Sequence, residues 1–408
     1  MNEAACPRPS RLSARLGRVK PSATLAVTAA MAELRRQGKD VIDFGTGEPD
    51  FDTPEHIKAA AVKAIAAGQT KYTPVGGTLE MRQAIATKLA RDNGLTYAPD
   101  QIIACCGGKH ALLNAFLALF QEGDEVIVPA PYWVSYADML ALADATPVIV
   151  PTEERDGFQL APAALEQAIT PRTRAVLVNS PSNPAGAAYD AAALRALGAV
   201  IARHGLTAIS DDVYERLTYG GFRQEHLLAL CPELRAQGLV VSSLSKTYAM
   251  TGWRLGYAAG PRDVIVAMAT LQGQSTSNPC SITQAAAVAA LTGPQQCVEE
   301  MVREFARRRA YVLERLGAMP RVTCAPPRGA FYVFPGIGAF LGRRVGGQEL
   351  VTASDLARYL IAEAGLAVVA GDDFGAPRHI RISYATSMTN LERGLDRLAT
   401  ALETIAGS

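Results

Sequence analysis

The run Ser242-Ser243-Leu244-Ser245-Lys246-Thr247-Tyr248-Ala249-Met250-Thr251-Gly252-Trp253-Arg254-Leu255-Gly256-Tyr257 sets a lysine directly after an apolar segment, among small hydroxyls and glycine. An amine taken out of water loses proton affinity and becomes a nucleophile able to form an imine with an aldehyde. Ser243, Ser245 and Arg254 offer the hydroxyl and bidentate guanidinium groups that hold a phosphate. A buried structural lysine is an equally weighted reading on chemistry alone. Four further places have the right residue types. Gly107-Gly108-Lys109 precedes a helical pattern, where glycine lets the backbone approach an anion and the helix start presents unpaired N–H groups. Asn183, in Asn179-Ser180-Pro181-Ser182-Asn183-Pro184-Ala185-Gly186, follows an apolar run and by itself marks a turn. Asp211 and Tyr214, in Ser210-Asp211-Asp212-Val213-Tyr214-Glu215, follow another, where acids are ordinarily solvated or capping. Arg381 shares one face of the alternating run His379–Tyr384 with His379 and Ser383, where an arginine ordinarily faces solvent.

These residues need a scaffold, and the chain supplies one. Strands are expected at Gln101–Cys105, Glu125–Pro129, Thr146–Val150, Arg174–Val178, Leu206–Ser210, Leu239–Ser242 and Arg254–Ala259, with helices at His110–Phe120 and Asp190–His204. Short apolar strands alternating with helices imply a mostly parallel sheet covered on both faces, an α/β fold. The C-terminal ends of such strands are where α/β proteins place ligands, and Lys246 and Asp211 both fall there. Thr53 is expected to cap a helix beginning at Pro54. From about residue 300 the texture changes: a charged helix at Glu299–Leu316, strands at Phe331–Phe334, Ala367–Val369 and His379–Tyr384, a glycine-rich mobile loop at Leu341–Thr352, and a closing helix at Asn390–Ile405. We expect a large domain over residues 55–300, a smaller α+β domain built from 21–54 with 301–408, and a basic, disordered extension over 1–20.

Composition narrows the function. The 408 residues are 49% apolar and 19% charged, with a formal net charge of +1. That balance gives no footprint for nucleic acid. The apolar stretches are broken well before membrane-spanning length, and no signal-peptide core follows the basic start. Seven cysteines without a C-x-x-C pair argue against a zinc ribbon or a redox motif, no metal site is expected, and a reducing, cytoplasmic setting is. No P-loop or Rossmann glycine triplet is present.

The pattern Ser-x-Ser-Lys-x-x-x-Met-x-Gly-x-Arg-x-Gly over Ser243–Gly256 resembles the signature of the class I/II aminotransferases, pyridoxal-phosphate (PLP) enzymes of fold type I. The resemblance runs from about residue 20 to about residue 405, with the other motifs in the family's order. It implies that Lys246 is the Schiff-base residue, and that Ser243, Ser245, Arg254, Gly107, Gly108 and Lys109 lie around the cofactor phosphate. It implies that Asp211 faces the pyridine nitrogen, that Asn183 and Tyr214 reach the phenolic oxygen, and that Trp133, in Pro131-Tyr132-Trp133, stacks on the ring. A core-packing role is the rival reading for Trp133. Arg381 then clamps the substrate α-carboxylate, helped by Gly47 and Asn183. Tyr72, in Lys71-Tyr72-Thr73-Pro74, reaches the phosphate across a homodimer interface, so the active sites are shared. Ala185 stands where the family usually has threonine, and Asp212 where it more often has glutamate. Within the family the chain looks most like the bacterial aspartate and aspartate/prephenate subgroup, which makes Lys109 with Thr24 the reader of a distal carboxylate and Lys20 an aid to prephenate. The implied reaction is transamination between amino acids and 2-oxo acids, most simply L-aspartate with 2-oxoglutarate. An aminotransferase for alanine or aromatic substrates, or a PLP-dependent lyase or synthase, is the alternative.

Overall fold

The protein is described here by a computed structural model covering residues 12–20 and 23–407. A seven-stranded sheet forms its centre, in the spatial order Ile102–Cys105, Gly256–Ala259, Gly238–Ser243, Thr207–Asp211, Thr173–Asn179, Glu125–Ala130, Thr146–Pro151. Only Gly256–Ala259 runs antiparallel to its neighbours. Successive residues of these strands feed opposite cores. Ile102, Ala104, Val176, Val178, Ala208 and Val240 join one cluster, while Ile103, Cys105, Ala175, Leu177, Ile209 and Val241 join the other. Both faces are therefore buried, which is why the strands read as continuous apolar runs. The helices Glu55–Ala66, Leu79–Asn93, Ala191–Arg203 and Ser281–Thr292 cover the first face, and Gly108–Leu119, Ser135–Leu142 and Arg262–Ser275 the second.

Local chemistry sets the helix ends. Thr78 Oγ1 accepts from Met81 N–H at 3.1 Å, and Gly94 closes the same helix at φ +65°. Asp190 caps Ala191–Arg203 by accepting from Ala193 N–H at 2.9 Å. Thr53 does not cap as expected. Its buried hydroxyl donates to Ala249 O at 2.7 Å and accepts from Trp253 Nε1 at 2.9 Å, so Pro54 takes the cap position without a side-chain bond.

A second core gathers Ile42 and Phe44 with residues from 301 onward. Helix Gln296–Gly317 buries Val298, Met301, Phe305, Arg308, Val312 and Leu316, one face at helical spacing. Arg308 is only 6% exposed, because it pairs with Asp50 at 2.7 Å and Glu304 at 2.9 Å between the rings of Phe51 and Phe305. A three-stranded sheet places Ile380–Ser383 between Val369–Ala370 and Tyr332–Val333, and Met388–Gly407 closes the chain.

Three expectations change here. The stretch Ala367–Val369 is two strands in different sheets, since Leu366–Ala367 pairs with Ile42–Asp43 and Val369–Ala370 pairs with Ile380–Ser383. The glycine-rich loop is a hairpin, Arg343–Val345 against Gln348–Leu350, turned by Gly346 and Gly347 at φ +55° and +81°. Of the basic extension, residues 14–18 form a 3-10 turn capped by Ser13, and Arg18 pairs with Asp144 at 2.6 Å. Residues 1–11 lie outside the described residues.

Candidate active site

The parallel strands deliver their chemistry to one edge. Asn179 and Asp211 are register partners at the ends of adjacent strands, and Ser243 opposes Gly256 two strands away. A cavity of about 480 Å³ opens there, lined by Gly47, Gly108, Lys109, Trp133, Asn183, Asp211, Tyr214, Ser243, Ser245, Lys246, Arg254 and Arg381, among others. Twelve of the residues singled out from sequence are thus brought together from the central sheet and from the second core. Four are not in its lining. Gly107 sits just behind it, Tyr72 is 91% exposed on its own chain, and Lys20 is exposed with its backbone N–H on Asp138 Oδ1 at 3.2 Å. Thr24 belongs to the helix Ala23–Arg36, and its side chain lies outside the described residues.

Lys246 follows the Gly238–Ser243 strand on a single helical turn, Leu244–Thr247, capped by Ser243 Oγ accepting from Ser245 N–H. Its ammonium donates to Gly47 O at 2.5 Å. Burial pulls its pKa down to about 8, and the nearby Arg381 and Arg254 add to the fall against an opposing pull from Glu48. Arg254 sits at φ +51°, just before the Gly256–Ala259 strand and not within it as expected, with Nη1 donating to Thr251 O at 2.8 Å. A Cβ on Gly107 would lie 2.5 Å from Arg254 Nη2, so only glycine lets that guanidinium close over the start of helix Gly108–Leu119. Arg254, the Ser243 and Ser245 side chains and a helix N-terminus line one pole of the cavity, with Lys246 between them and Gly47.

Asp211 occupies the centre. Strand alternation separates it from its neighbour: Asp211 lines the cavity, whereas Asp212 points to the far side, toward His226 at 3.0 Å. Burial pushes the Asp211 carboxyl up to about 6, although Tyr136 Oη donates to it at 2.6 Å. Trp133 stands at the wall with its ring edge-on to Tyr136 at 5.4 Å, and Lys109 Nζ lies 5.0 Å over its face. Burial, then Arg254, lowers the Lys109 pKa.

The opposite pole holds Arg381, which is 2% exposed on its strand. Nη1 donates to Asn183 Oδ1 at 2.9 Å and Nη2 to Gly45 O at 2.6 Å, while the ring of Tyr332 lies 4.6 Å from the guanidinium. Nε has no hydrogen-bond partner, and among the described residues the partners of this cation are an amide and a backbone carbonyl, not a carboxylate. A buried, unneutralised guanidinium is a costly group unless an anion joins it. A Cβ on Gly47 would lie 2.9 Å from Tyr332 Oη and 3.8 Å from both Arg381 Nη atoms, so glycine keeps this approach open.

Among the lining residues that sequence reasoning passed over, three hydrogen-bond to the site's side chains or backbone. Asn179 holds the turn together, with Nδ2 donating to Asp211 O at 2.8 Å and Oδ1 accepting from Asn183 N–H at 3.0 Å. Tyr136 supports Asp211, and Tyr332 Oη lies 3.0 Å from Tyr214 Oη. Position directly after a strand could have flagged Asn179. Nothing local marks the two tyrosines.

The aminotransferase class I and II family model matches residues 39–398. The chain is 48% identical to the aspartate aminotransferase of Geobacillus stearothermophilus, over 96% of this chain and 99% of that protein. It is 50% identical to the aspartate/prephenate aminotransferase of Cereibacter sphaeroides, over 95% and 97%. The crystal structure of the Rhizobium meliloti aspartate aminotransferase superposes with a TM-score of 0.94 at 46% identity, covering 97% of this chain and all of that one. The Thermus thermophilus aspartate aminotransferase with maleate gives 0.91 at 44% identity, over 96% and 100%.

Proposed function

This chain belongs to the class I and II aminotransferases, and we propose that it exchanges an amino group between L-aspartate and 2-oxoglutarate with PLP as cofactor. The observation that carries the reading is the pair Lys246 and Arg381 facing one cavity: an amine with a depressed pKa, and a buried guanidinium without a carboxylate.

The residues fit the cofactor. Arg254, Ser243, Ser245 and the Gly107–Gly108 backbone at a helix start form a phosphate cradle in which a side chain at 107 would collide with the guanidinium. Asp211 would face the pyridine nitrogen, Trp133 would stack on the ring, and Asn183 and Tyr214 would meet the phenolic oxygen, all four lining the cavity. When bound, PLP supplies an electron-accepting ring that stabilises the charge left at the amino acid's α carbon. The rest belongs to the protein. Arg381 and Asn183 orient the α-carboxylate. Lys246 Nζ, which gives up its proton more readily than an ordinary lysine, takes and returns the α-proton. Lys109 at the cavity mouth reads the distal carboxylate. The relatives named for aspartate, and the Thermus structure with the dicarboxylate maleate, support a second carboxylate in the substrate. Prephenate as a further acceptor rests on the relatives named for it. A homodimer completes each site with the partner's Tyr72.

The deciding experiment is the visible spectrum of the purified protein before and after L-aspartate. Conversion to the amine form of the cofactor, reversed by 2-oxoglutarate, is expected, together with ping-pong kinetics. A cofactor spectrum that ignores aspartate overturns the substrate assignment and favours another amino donor or a lyase. The lack of any chromophore after added PLP overturns the cofactor assignment.

A further inference from the structure

Behind Asp211 lies a second set of ionisable groups with no part in the reaction described above. Asp212 Oδ1 accepts from Ser210 Oγ at 2.7 Å, and Oδ2 faces His226 Nδ1 at 3.0 Å. His226 Nε2 lies 3.5 Å from Glu215 Oε2. Glu215 pairs with Lys88, whose ammonium also donates to Asn93 Oδ1 at 2.8 Å, and Asn93 Nδ2 donates to Glu215 Oε2 at 2.5 Å. All six side chains, Ser210 included, are buried. Tyr257 and Asp92 face Lys88 from outside the set.

The ligand-type atoms of Asp212, Glu215 and His226 lie within 4.8 Å of one another, a spacing suited to a bound cation. The Lys88 ammonium already supplies one. Two carboxylates and one ammonium leave a single buried negative charge one residue from Asp211, and His226 stands between the two carboxylates with each ring nitrogen toward one of them. We propose that His226 is held as an imidazolium between Asp212 and Glu215, and that the resulting charge-neutral set positions Asp211 and Tyr214 and keeps the Asp211 carboxylate ionised.

The carboxylates favour this state: Nδ1 has a hydrogen-bond acceptor in Asp212 Oδ2 at 3.0 Å, and Glu215 Oε2 stands at ion-pair distance, 3.5 Å, from Nε2. Both ring nitrogens donate only in the imidazolium, and a neutral ring turns a lone pair toward one carboxylate. In the competing arrangement Asn93 Nδ2, 2.8 Å from Nε2 and 3.0 Å from Nδ1, donates to a neutral ring whose unprotonated nitrogen accepts it. Burial depresses the His226 pKa, but the hydrogen bond and charge of Asp212, with the charge of Glu215, leave it raised. The consequence for Asp211 rests on the proposed PLP chemistry; the protonation state of His226 does not. Lys88, Asn93 and His226 are not among the residues that line the cavity, so they are positioning residues.

The first measurement is the ¹⁵N NMR spectrum of holoenzyme labelled at histidine, with the signal of His226 assigned by loss in His226→Gln. At about pH 8, above the ordinary imidazole value of ~6.5, both His226 nitrogens are expected to be protonated. A neutral ring overturns the proposal, and the wild-type protein suffices to see it. The second measurement is kinetic. His226→Gln should lower kcat with aspartate about tenfold at nearly constant KM, because an uncompensated Asp212 disfavours the Asp211 carboxylate. Adding Asp212→Asn should restore most of that loss by removing the stranded charge. A double variant no better than the single one overturns the charge-balance argument. If the protein binds no PLP, the proposed function fails while the NMR result still stands or falls on its own.

Discussion

Burial holds the Asp211 carboxyl at about 6, so the protein without cofactor carries a destabilising group at neutral pH. A carboxyl raised in the folded state binds more protons folded than unfolded between the ordinary value of ~3.9 and about 6, so stability is lost as pH rises through that window. Asp211→Asn removes this loss and keeps an acceptor for Tyr136 Oη. In the cofactor-free protein the variant should match wild type below about pH 4 and exceed it by on the order of 3 kcal/mol above about pH 6. Urea unfolding across pH reads the difference, and a gap that ignores pH contradicts it. The same variant should bind PLP more weakly. Lys109 calls for a different readout. Lys109→Ala should raise KM for aspartate about 10- to 100-fold and leave alanine nearly unchanged. Equal effects on the two substrates remove Lys109 from the distal carboxylate. Lys246 and Asp211 were legible in sequence because amine and carboxylate stand at the C-terminal ends of apolar strands. Tyr136 and Tyr332 were not, since a tyrosine in an apolar stretch reads as core, and only closure of the tertiary structure turns its hydroxyl toward Asp211 or Tyr214. Arg381 was read correctly as a member of a strand face, but period-two alternation does not say which face is buried.

Among the elements, the parallel sheet was legible because each strand is apolar on both faces. The second core was read less well. Its strands are two to four residues long, too short for alternation to register, so Ala367–Val369 passed as one strand and a double-glycine hairpin as a loop. The join between elements decides the phosphate cradle. A Cβ on Gly256 would lie 2.3 Å from Gly108 N, a backbone atom that cannot swing aside, whereas Gly252 has open space around its Cα. Gly256→Ala should therefore lower the thermal midpoint and weaken PLP binding together, as overpacking of about 1–3 kcal/mol demands. Gly252→Ala should leave the midpoint close to wild type. The opposite ranking in a thermal melt would separate the strand from the helix start it supports.

At the scale of the whole molecule, the surface poses the remaining question. Tyr72 is 91% exposed, and Val62 and Ile65 on the neighbouring helix Glu55–Ala66 are more than half exposed, an apolar face beside a residue expected to act in another subunit's site. If each site takes Lys246 from one chain and Tyr72 from its partner, two differently damaged chains complement each other. A hybrid of Lys246→Ala and Tyr72→Ala chains has one site with both defects and one site with neither. Random reassociation in equal amounts makes about half of the dimers hybrids, so activity should recover to about a quarter of wild type from two nearly inactive parents. If Tyr72 served its own chain, every Lys246-bearing site in the hybrid would still lack it, and mixing would restore nothing. Sedimentation of each parent as a dimer guards against a failure to associate. Recovery near a quarter therefore requires both the dimer and the exchange of Tyr72 between sites, because neither alone rebuilds an intact site from these two chains.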